Sequence, residues 1–160
     1  MEDSDVSTRD ELERLYREEG NRIWWSLLAY SGDREIADDA VAETFVRALR
    51  DAREIREPLP WLWRVSFRVA SAELGRRKKE GSAEDDRAAG SYEMDAPSNS
   101  VLSVMTHLSP CQRAALILHY YGGYSAREIG DIVGASATTV AVHMHQGRRR
   151  LRRILEESDG

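Results

Sequence analysis

Residues 125–153 read SAREIGDIVGASATTVAVHMHQGRRRLRR, and this stretch decides the class of fold. Ser125 followed by Glu128 is a capping box, a pattern that begins a helix, and Ser136 is positioned to cap another. Between these helices, Gly134–Ala135 predicts a tight turn. A short helix, a glycine-containing turn and a long helix form the layout of a helix-turn-helix. The predicted core stripe of the long helix is Val140, Met144, Gly147 and Leu151.

In a helix-turn-helix, the second helix enters the major groove of DNA with its N-terminal half against base edges. The face opposite the core stripe carries Thr138, Val142, His145, Gln146 and Arg149. Gln146 is able to read an adenine edge, and Val142 is able to contact a thymine methyl group. The arginine-rich run at 148–153 is a candidate for phosphate contact. An ordinary helical hairpin whose basic end is solvated, and favoured by the helix dipole, is the alternative.

The rest of the chain also carries helix signals, and no stretch alternates cleanly as a half-buried strand requires. We therefore predict an all-α fold. Thr8 and Glu11 predict the start of a first helical segment, which Gly20 is able to divide in two. A second segment begins at a cap on Asp33 and runs to about residue 53. Its apolar face is predicted as Val41, Phe45, Ala48 and Leu49.

A third helical segment begins near Pro60, and its predicted apolar face is Trp61, Leu62, Val65, Val69 and Ala72. Residues 81–102 are rich in small and acidic residues and predict a flexible linker. After it, Ser109 and Gln112 form another capping box, with Pro110 at the first helical position, and the glycine pair at 122–123 stops that helix.

The chain has 160 residues and a net charge of −5, which is unusual for a protein that binds nucleic acid. The charge is unevenly distributed, because residues 61–80 hold 6 basic and 2 acidic side chains whereas residues 1–60 hold 9 and 16. Such asymmetry indicates local contact with a polyanion and an acidic surface for a basic partner. The single cysteine, Cys111, excludes an internal disulfide. With no signal-peptide pattern or membrane-spanning run, we expect a soluble, cytoplasmic protein.

The third segment interleaves aromatic and basic side chains, an arrangement that suits unstacked single-stranded bases. Trp61 lies on the predicted apolar stripe, and this position favours the core over base stacking. On the second segment, Asp39, Glu43, Arg47 and Arg50 share a polar stripe flanked by Asp38. A solvated face with a Glu43–Arg47 ion pair and a docking face for a basic partner are both open from the residues alone. An acid-based metal site would need further ligands that the sequence does not supply, so we expect no metal, no cofactor and no enzymatic activity.

Three segments in order, DDAVAETFVRAL (38–49), PWLWRVSFRVASAELGRRKK (60–79) and the stretch from Leu108 to Leu155, resemble the extracytoplasmic-function (group IV) sigma factors of the bacterial sigma-70 family. The resemblance implies two small helical domains. These are a region 2-like bundle over residues 8–80 and a region 4-like helix-turn-helix over residues 103–157, joined by the linker. It implies a transcription initiation factor that binds core RNA polymerase and promoter DNA, with an anti-sigma factor as an expected further partner.

Residue by residue, the resemblance implies three surfaces. The face toward the β′ clamp helices of polymerase is Asp38, Asp39, Glu43, Arg47 and Arg50, and the helix-turn-helix half would meet the β flap. The minus-ten element would contact Trp61, Trp63, Arg64, Phe67, Arg68, Arg76, Arg77, Lys78 and Lys79. The minus-thirty-five element would contact Ser136, Thr138, Thr139, Ala141, Val142, His143, His145, Gln146, Arg148 and Arg149.

Several positions depart from the family pattern. Arg68 and Ala72 stand where the family usually has Asn and Asp, and Ala42 replaces a usual Gln in the docking helix. In the recognition helix, Ala141, Val142, His143 and Gln146 stand where charged or hydroxyl side chains are usual. Apart from Ala42, the docking face is intact, whereas both promoter-reading surfaces are atypical.

An autonomous helix-turn-helix repressor or activator is the alternative function. Such a protein depends on its own phosphate contacts, and it usually dimerises on paired half-sites. The C-terminal module has 7 basic and 5 acidic side chains over residues 108–160. This small excess suits a polymerase subunit better than an autonomous repressor, because polymerase then supplies most of the binding energy for DNA.

Overall fold

The computed structural model describes residues 2–80 and 99–159. The described residues form helices connected by turns and short loops and contain no strand, as the all-α prediction requires. The helices are α1 (Glu2–Ser31), α2 (Arg34–Arg50), α3 (Pro58–Lys79), α4 (Asn99–Met105), α5 (Pro110–Tyr120), α6 (Ala126–Val133) and α7 (Ala137–Ser158), with a short 3₁₀ turn at Ala52–Glu54. No helix in these ranges is long and apolar enough to cross a bilayer.

Four of the predicted helix starts are confirmed by their caps. The Asp33 carboxylate accepts hydrogen bonds from the backbone N–H of Glu35, at 2.9 Å, and of Ile36. Complete capping boxes open α5 at Ser109 and α6 at Ser125. The Ser136 hydroxyl accepts from the Thr139 N–H at 3.1 Å and opens α7. Since each cap satisfies backbone donors that the helix leaves unpaired, these starts are set by local sequence.

The predicted start of the first helix is wrong. The helix α1 begins at Glu2, so Thr8 lies inside it, and Gly20 is a buried position within one continuous helix. A helical glycine costs about 1 kcal/mol relative to alanine. Leu15 and Ile23 on either side of Gly20 are buried, and their packing outweighs that cost.

The predicted apolar faces of α2 and α3 are only partly right. Val41, Phe45 and Ala48 are buried on α2, but Leu49 is exposed. The helix α3 begins at Pro58 rather than near Pro60. It buries Leu62, Trp63, Ser66, Phe67 and Ala70, whereas Trp61, Val65 and Val69 are half-buried and Ala72 is exposed. The buried face is rotated from the prediction because α3 packs against α6 as well as against α1 and α2.

The chain forms two halves, an N-terminal half (α1–α3) and a C-terminal half (α4–α7), whose buried residues make one continuous core. The helices α1 and α3 pack on α5 and α6. We call this packing of the halves the closed arrangement. The last residues of the predicted linker, 99–102, belong to α4, and residues 81–98 lie outside the described residues.

The helix-turn-helix has the predicted turn and core stripe. Gly134 ends α6 with φ of 76°, a left-handed conformation that favours glycine. Val140, Met144 and Gly147 are buried, and Leu151 is half-buried against the core. Gly130 allows the close crossing of α6 and the turn, because a Cβ there would lie 2.4 Å from the Ala135 carbonyl oxygen.

We expect Gly130→Ala to lower the free energy of unfolding by about 1–3 kcal/mol, because the added methyl meets backbone that is unable to move independently. Gly75→Ala is the matched control, since a Cβ at this exposed position of α3 meets nothing within 4 Å. It should raise stability by about 0.5–1 kcal/mol. Urea unfolding followed by circular dichroism measures both, and equal effects would contradict the steric role of Gly130.

Candidate polymerase and nucleic-acid interfaces

The predicted recognition face of α7 is open to solvent along its N-terminal half. The exposed side chains there include those predicted to reach base edges, and they are Thr138, Thr139, Ala141, Val142, His145 and Gln146. Ser136, although exposed, uses its hydroxyl to cap the helix. Because Val140 and Met144 hold the opposite face in the core, this surface is fixed in orientation by packing.

His143 and Arg148 lie at the edges of the recognition face. The ring of His143 is half-buried, and its Nδ1 atom is enclosed without a hydrogen-bond partner in the described structure. Arg148 is half-buried and donates to the Tyr120 hydroxyl at 3.2 Å. By contrast, Arg149 is exposed, as are the other arginines of the run, Arg150, Arg152 and Arg153. The arginines that remain open for the predicted phosphate contact are therefore the exposed ones rather than Arg148.

In the closed arrangement, the aromatic side chains predicted to stack on bases are covered. Trp63 and Phe67 are each 2% exposed. The Trp63 ring lies 6.1 Å from the Phe67 ring and 6.0 Å from that of Tyr124 in the C-terminal half. Base stacking needs a free aromatic face, and neither residue offers one in this structure. The third aromatic residue of the segment, Trp61, is half-buried instead of sitting in the core.

The basic cluster at the end of α3 divides into structural and free charges. The Arg77 side chain is 18% exposed and donates to carboxylates of Asp33 and Glu73. Asp33 thus caps α2 with one oxygen and binds Arg77 with the other, so Arg77 ties the two helices together. Arg76 pairs with Glu73 and Glu80. These hydrogen bonds, from Arg76 first and then Arg77, hold the pKa of Glu73 to about 2.

Fewer cations than predicted are therefore directed at DNA by this helix. Lys78 and Lys79 are exposed, and Arg64 is half-buried. Arg68 is exposed, but its guanidinium donates to the backbone carbonyls of Asp131 at 3.2 Å and Ile132 at 3.3 Å. The sequence shows how many cations α3 carries, but it does not show which of them are already bound to acidic side chains or to backbone carbonyls.

The acidic stripe on α2 is exposed as predicted for a docking face. Asp39 and Glu43 face solvent, and the expected Glu43–Arg47 ion pair is present. Asp38 accepts a hydrogen bond from the Trp24 indole at 2.7 Å. Arg50 pairs with its neighbour Asp51, and this hydrogen bond lowers the pKa of the Asp51 carboxyl.

Two exposed apolar side chains on this face were not predicted from the sequence. Val46 is 63% exposed and Leu49 is 47% exposed. With Ala42 they follow a spacing of four and three residues along the side of α2 that carries Asp39 and Glu43. The sequence contains the spacing of this second apolar stripe, but the prediction that Leu49 lies in the core is wrong. Exposed apolar groups beside charges are typical of a protein–protein interface.

An open groove of 650 Å³ crosses the boundary between the halves. Its walls come from α1, α4, α5 and α7, so both halves contribute. The lining is largely apolar and includes Trp25, Ala29, Met105, Leu116, Leu151 and Leu155. Arg148 and Arg152 lie among these residues. The groove has the shape and polarity to hold an amphipathic helix with acidic flanking residues.

Two family models match the chain, one in each half. Residues 15–80 match the model described as sigma-70 region 2, and residues 98–151 match the one described as sigma-70, region 4. The chain is 28% identical to the ECF RNA polymerase sigma factor SigL of Mycobacterium tuberculosis, over 89% of this chain and 88% of that protein. It is 25% identical to the ECF sigma factor SigM of Bacillus subtilis, over 92% and 94%.

The chain is also 28% identical to SigE of Mycolicibacterium smegmatis, but it spans only 61% of that protein. Two solved structures share its fold. The sigma factor RpoE of Bartonella quintana, solved with the anti-sigma factor NepR, aligns with a TM-score of 0.75 at 19% identity, over 92% of this chain and 98% of that one. CnrH, solved with the cytosolic domain of CnrY, aligns with a TM-score of 0.70 at 18% identity, over 97% and 94%.

The structural role of Arg77 is testable against its neighbour. We expect Arg77→Ala to lower the free energy of unfolding by about 1–3 kcal/mol, because it leaves the partly buried Asp33 carboxylate without its arginine and Glu73 with Arg76 alone. Lys78→Ala changes the same charge at an exposed position and should have almost no effect on unfolding. Thermal unfolding compares the two, and equal stabilities would show that Arg77 is not a structural tie.

Proposed function

The chain belongs to the extracytoplasmic-function group of the sigma-70 family. From that premise we propose which of its surfaces bind polymerase and which bind promoter DNA. As a sigma factor it directs RNA polymerase to promoters and has no catalysis of its own. The observation that carries this reading is the order of two matched regions, 15–80 and 98–151, across most of the chain. An autonomous repressor would account for the helix-turn-helix but not for the region 2 match. The proposed place of action is the cytoplasm, where polymerase acts.

The α2 surface is the proposed docking face for the polymerase β′ clamp helices. Its support is the combination of exposed acids, Asp39 and Glu43, with exposed apolar groups, Val46 and Leu49, on one side of a helix. Charge complementarity orients a basic partner, and burial of the apolar groups supplies affinity. The Glu43–Arg47 pair fixes the Glu43 side chain for that contact.

The exposed half of α7 is the proposed reader of the minus-thirty-five element. Thr138, Val142 and Gln146 have the chemistry to contact base edges, and the arginines from 149 onward lie where phosphates would pass. Since the base-reading half carries no cation, its task is discrimination, and polymerase provides most of the binding energy. On α3, Lys78 and Lys79 are the proposed phosphate contacts near the minus-ten element.

The closed arrangement does not fit simultaneous contact with both promoter elements. Elements named for positions −10 and −35 are centred about 25 base pairs apart, which is about 80 Å of B-DNA. In this structure α6 packs against both α3 and α7. Helices in contact lie about 8–10 Å apart, so the two DNA-reading helices are separated by only about 20 Å. The proposed function therefore requires the halves to separate on polymerase.

The groove between the halves is the proposed site for a helix of an anti-sigma factor. Both halves build its walls, so it is complete only in the closed arrangement, which is the inactive one. An occupant that needs the complete groove would thus inhibit the protein. Arg148 and Arg152 favour an amphipathic helix with acidic residues along its edge. The two solved structures of similar fold, determined with an anti-sigma factor or with a partner's cytosolic domain, add support.

The function itself is tested by run-off transcription with core polymerase on promoters from the source genome. We expect transcripts only when this protein is added. If the protein alone protects a palindromic DNA sequence and does not bind core polymerase, the repressor function is favoured instead.

Asp39→Arg combined with Glu43→Arg should weaken core binding at least about tenfold, because like charges would then face each other across the interface. Glu11→Arg with Glu18→Arg makes the same change in charge on exposed positions of α1 and is the control. Fluorescence titration of labelled protein with core polymerase gives both affinities. If the two double variants bind alike, the effect is one of overall charge, and α2 is not the docking face.

One leucine substitution in the groove and one on α2 distinguish binding of the anti-sigma factor from binding of core polymerase. Leu155→Glu places a charge in the groove and should abolish binding of the cytosolic domain of a cognate anti-sigma factor. Leu49→Glu makes the same change on α2 and should leave that binding intact while weakening core binding. Pull-down with each purified partner reads out both effects, and the reverse pattern would refute the assignment.

A further inference from the structure

Three arginines cross the boundary between the halves, and each donates to the C-terminal end of a helix in the other half. Arg22 of α1 binds the carbonyl oxygen of Tyr121, the residue that caps the end of α5. Arg68 of α3 binds the carbonyls of Asp131 and Ile132 in the last turn of α6. In the opposite direction, Arg113 of α5 binds the carbonyl of Tyr30, in the last turn of α1, at 2.7 Å.

This pattern has a common physical cause. The last carbonyls of a helix lack partners within the helix and carry a partial negative charge. A guanidinium is the side chain best able to serve several of them, since its donors form a planar fork. Arg113 serves two carbonyls, because it also donates to the Leu108 carbonyl at 2.6 Å and thereby joins α1 to the start of α5.

Aromatic contacts strengthen two of the three crossings. The Arg22 guanidinium lies 5.1 Å from the centroid of the Tyr121 ring, and that of Arg113 lies 6.0 Å from the centroid of the Tyr30 ring. Both distances are within the range of a cation–π interaction. Arg68 has no such ring contact among the described residues, so it is the crossing held by hydrogen bonds alone.

We propose that Arg22, Arg68 and Arg113 form an intramolecular latch that holds the free chain in the closed arrangement and masks its minus-ten surface. The masking involves Arg68 directly, because the guanidinium that binds α6 is then not available to DNA. It also covers Trp63 on the buried face of α3, whose ring meets that of Tyr124 in the C-terminal half. The functional meaning of the latch rests on the proposed function, but its existence does not.

The latch explains the departure at position 68. The asparagine usual in the family is too short to span from α3 to two successive carbonyls of α6, whereas arginine reaches both. Arg22 and Arg68 are exposed, so salt should weaken their contacts, while the half-buried Arg113 is screened less. The closed fraction of the free protein should therefore fall as ionic strength rises.

The test measures the distance between the halves in the full chain without polymerase. Cys111, the only cysteine, is exposed on α5, and Glu18→Cys adds a second site on an exposed part of α1. Spin labels at both sites give the distance distribution by double electron–electron resonance. The parent should show a dominant short distance, and Arg22→Ala with Arg68→Asn should lower the closed-to-open ratio about 3- to 30-fold.

Arg17→Ala with Arg127→Ala is the matched control, since it removes two exposed arginines from α1 and α6. Circular dichroism verifies that all variants keep their helix content. Equal distance distributions for the latch variant and the control would overturn the proposal, as would a parent protein that is already open. Both results are independent of core binding, so a failure of the latch is distinguishable from a failure of the proposed function.

A second measurement links the latch to DNA. Arg22→Ala leaves Arg68 and both aromatic rings in place, so it should increase affinity for a single-stranded minus-ten oligonucleotide by about 2- to 5-fold. The control Arg17→Ala removes the same charge and should not increase it. Unchanged affinity for Arg22→Ala would contradict the masking of the minus-ten surface.

Discussion

The burial of Trp63 between the two halves is the contact on which the closed arrangement depends. Its ring packs on Phe67 of its own helix and on Tyr124 of the C-terminal half, and Phe67 in turn meets Tyr30. Each such side chain contributes about 1.5–3 kcal/mol when fully removed from water. Hydrophobic burial has no direction, however, and it would tolerate several orientations of the halves. The arginines that cross between the halves favour one orientation, because each must lie within hydrogen-bonding distance of particular carbonyls in the other half.

The distribution of charge explains how an acidic protein serves as a DNA-binding subunit. Much of its positive charge is used internally, with Arg77 tying α2 to α3 and Arg68 and Arg113 joining the halves. The cations left for phosphate are mainly the two lysines ending α3 and the exposed arginines of α7. We expect such a chain to have weak affinity for DNA by itself. Weak intrinsic binding is suited to a subunit that acts only as part of polymerase.

Local signals in the sequence predicted the helix-turn-helix well. The Ser136 cap satisfies a backbone donor of its own helix, and Gly134 has a φ of 76°, which glycine adopts without a steric penalty. The start of α1 was not predictable in this way, because Thr8 and Glu11 form the pattern of a cap but lie inside a helix that continues to Glu2. Local chemistry thus predicts that a helix is able to start at a given residue, whereas packing decides whether it does.

The candidate surfaces were less predictable, since they depend on contacts between distant residues. The sequence identified the acids of α2, but placed Leu49 in the core because apolar spacing does not show which side of a helix is covered. It also identified Trp63 and Arg68 by residue type, without revealing that both contact the C-terminal half. Family resemblance did not resolve this, because position 68 departs from the family.

The groove and the latch are thermodynamically coupled, because both exist only in the closed arrangement. A ligand that binds one state shifts the equilibrium by as much as it prefers that state. An anti-sigma helix in the groove would therefore raise the closed fraction, and the latch would in turn raise the affinity for that helix by the same factor. Polymerase, which needs the halves apart, must overcome the sum of the two. A latch of modest strength thus allows the halves to separate when the protein binds polymerase. It also allows an inhibitor that binds the groove to keep the protein in the closed arrangement.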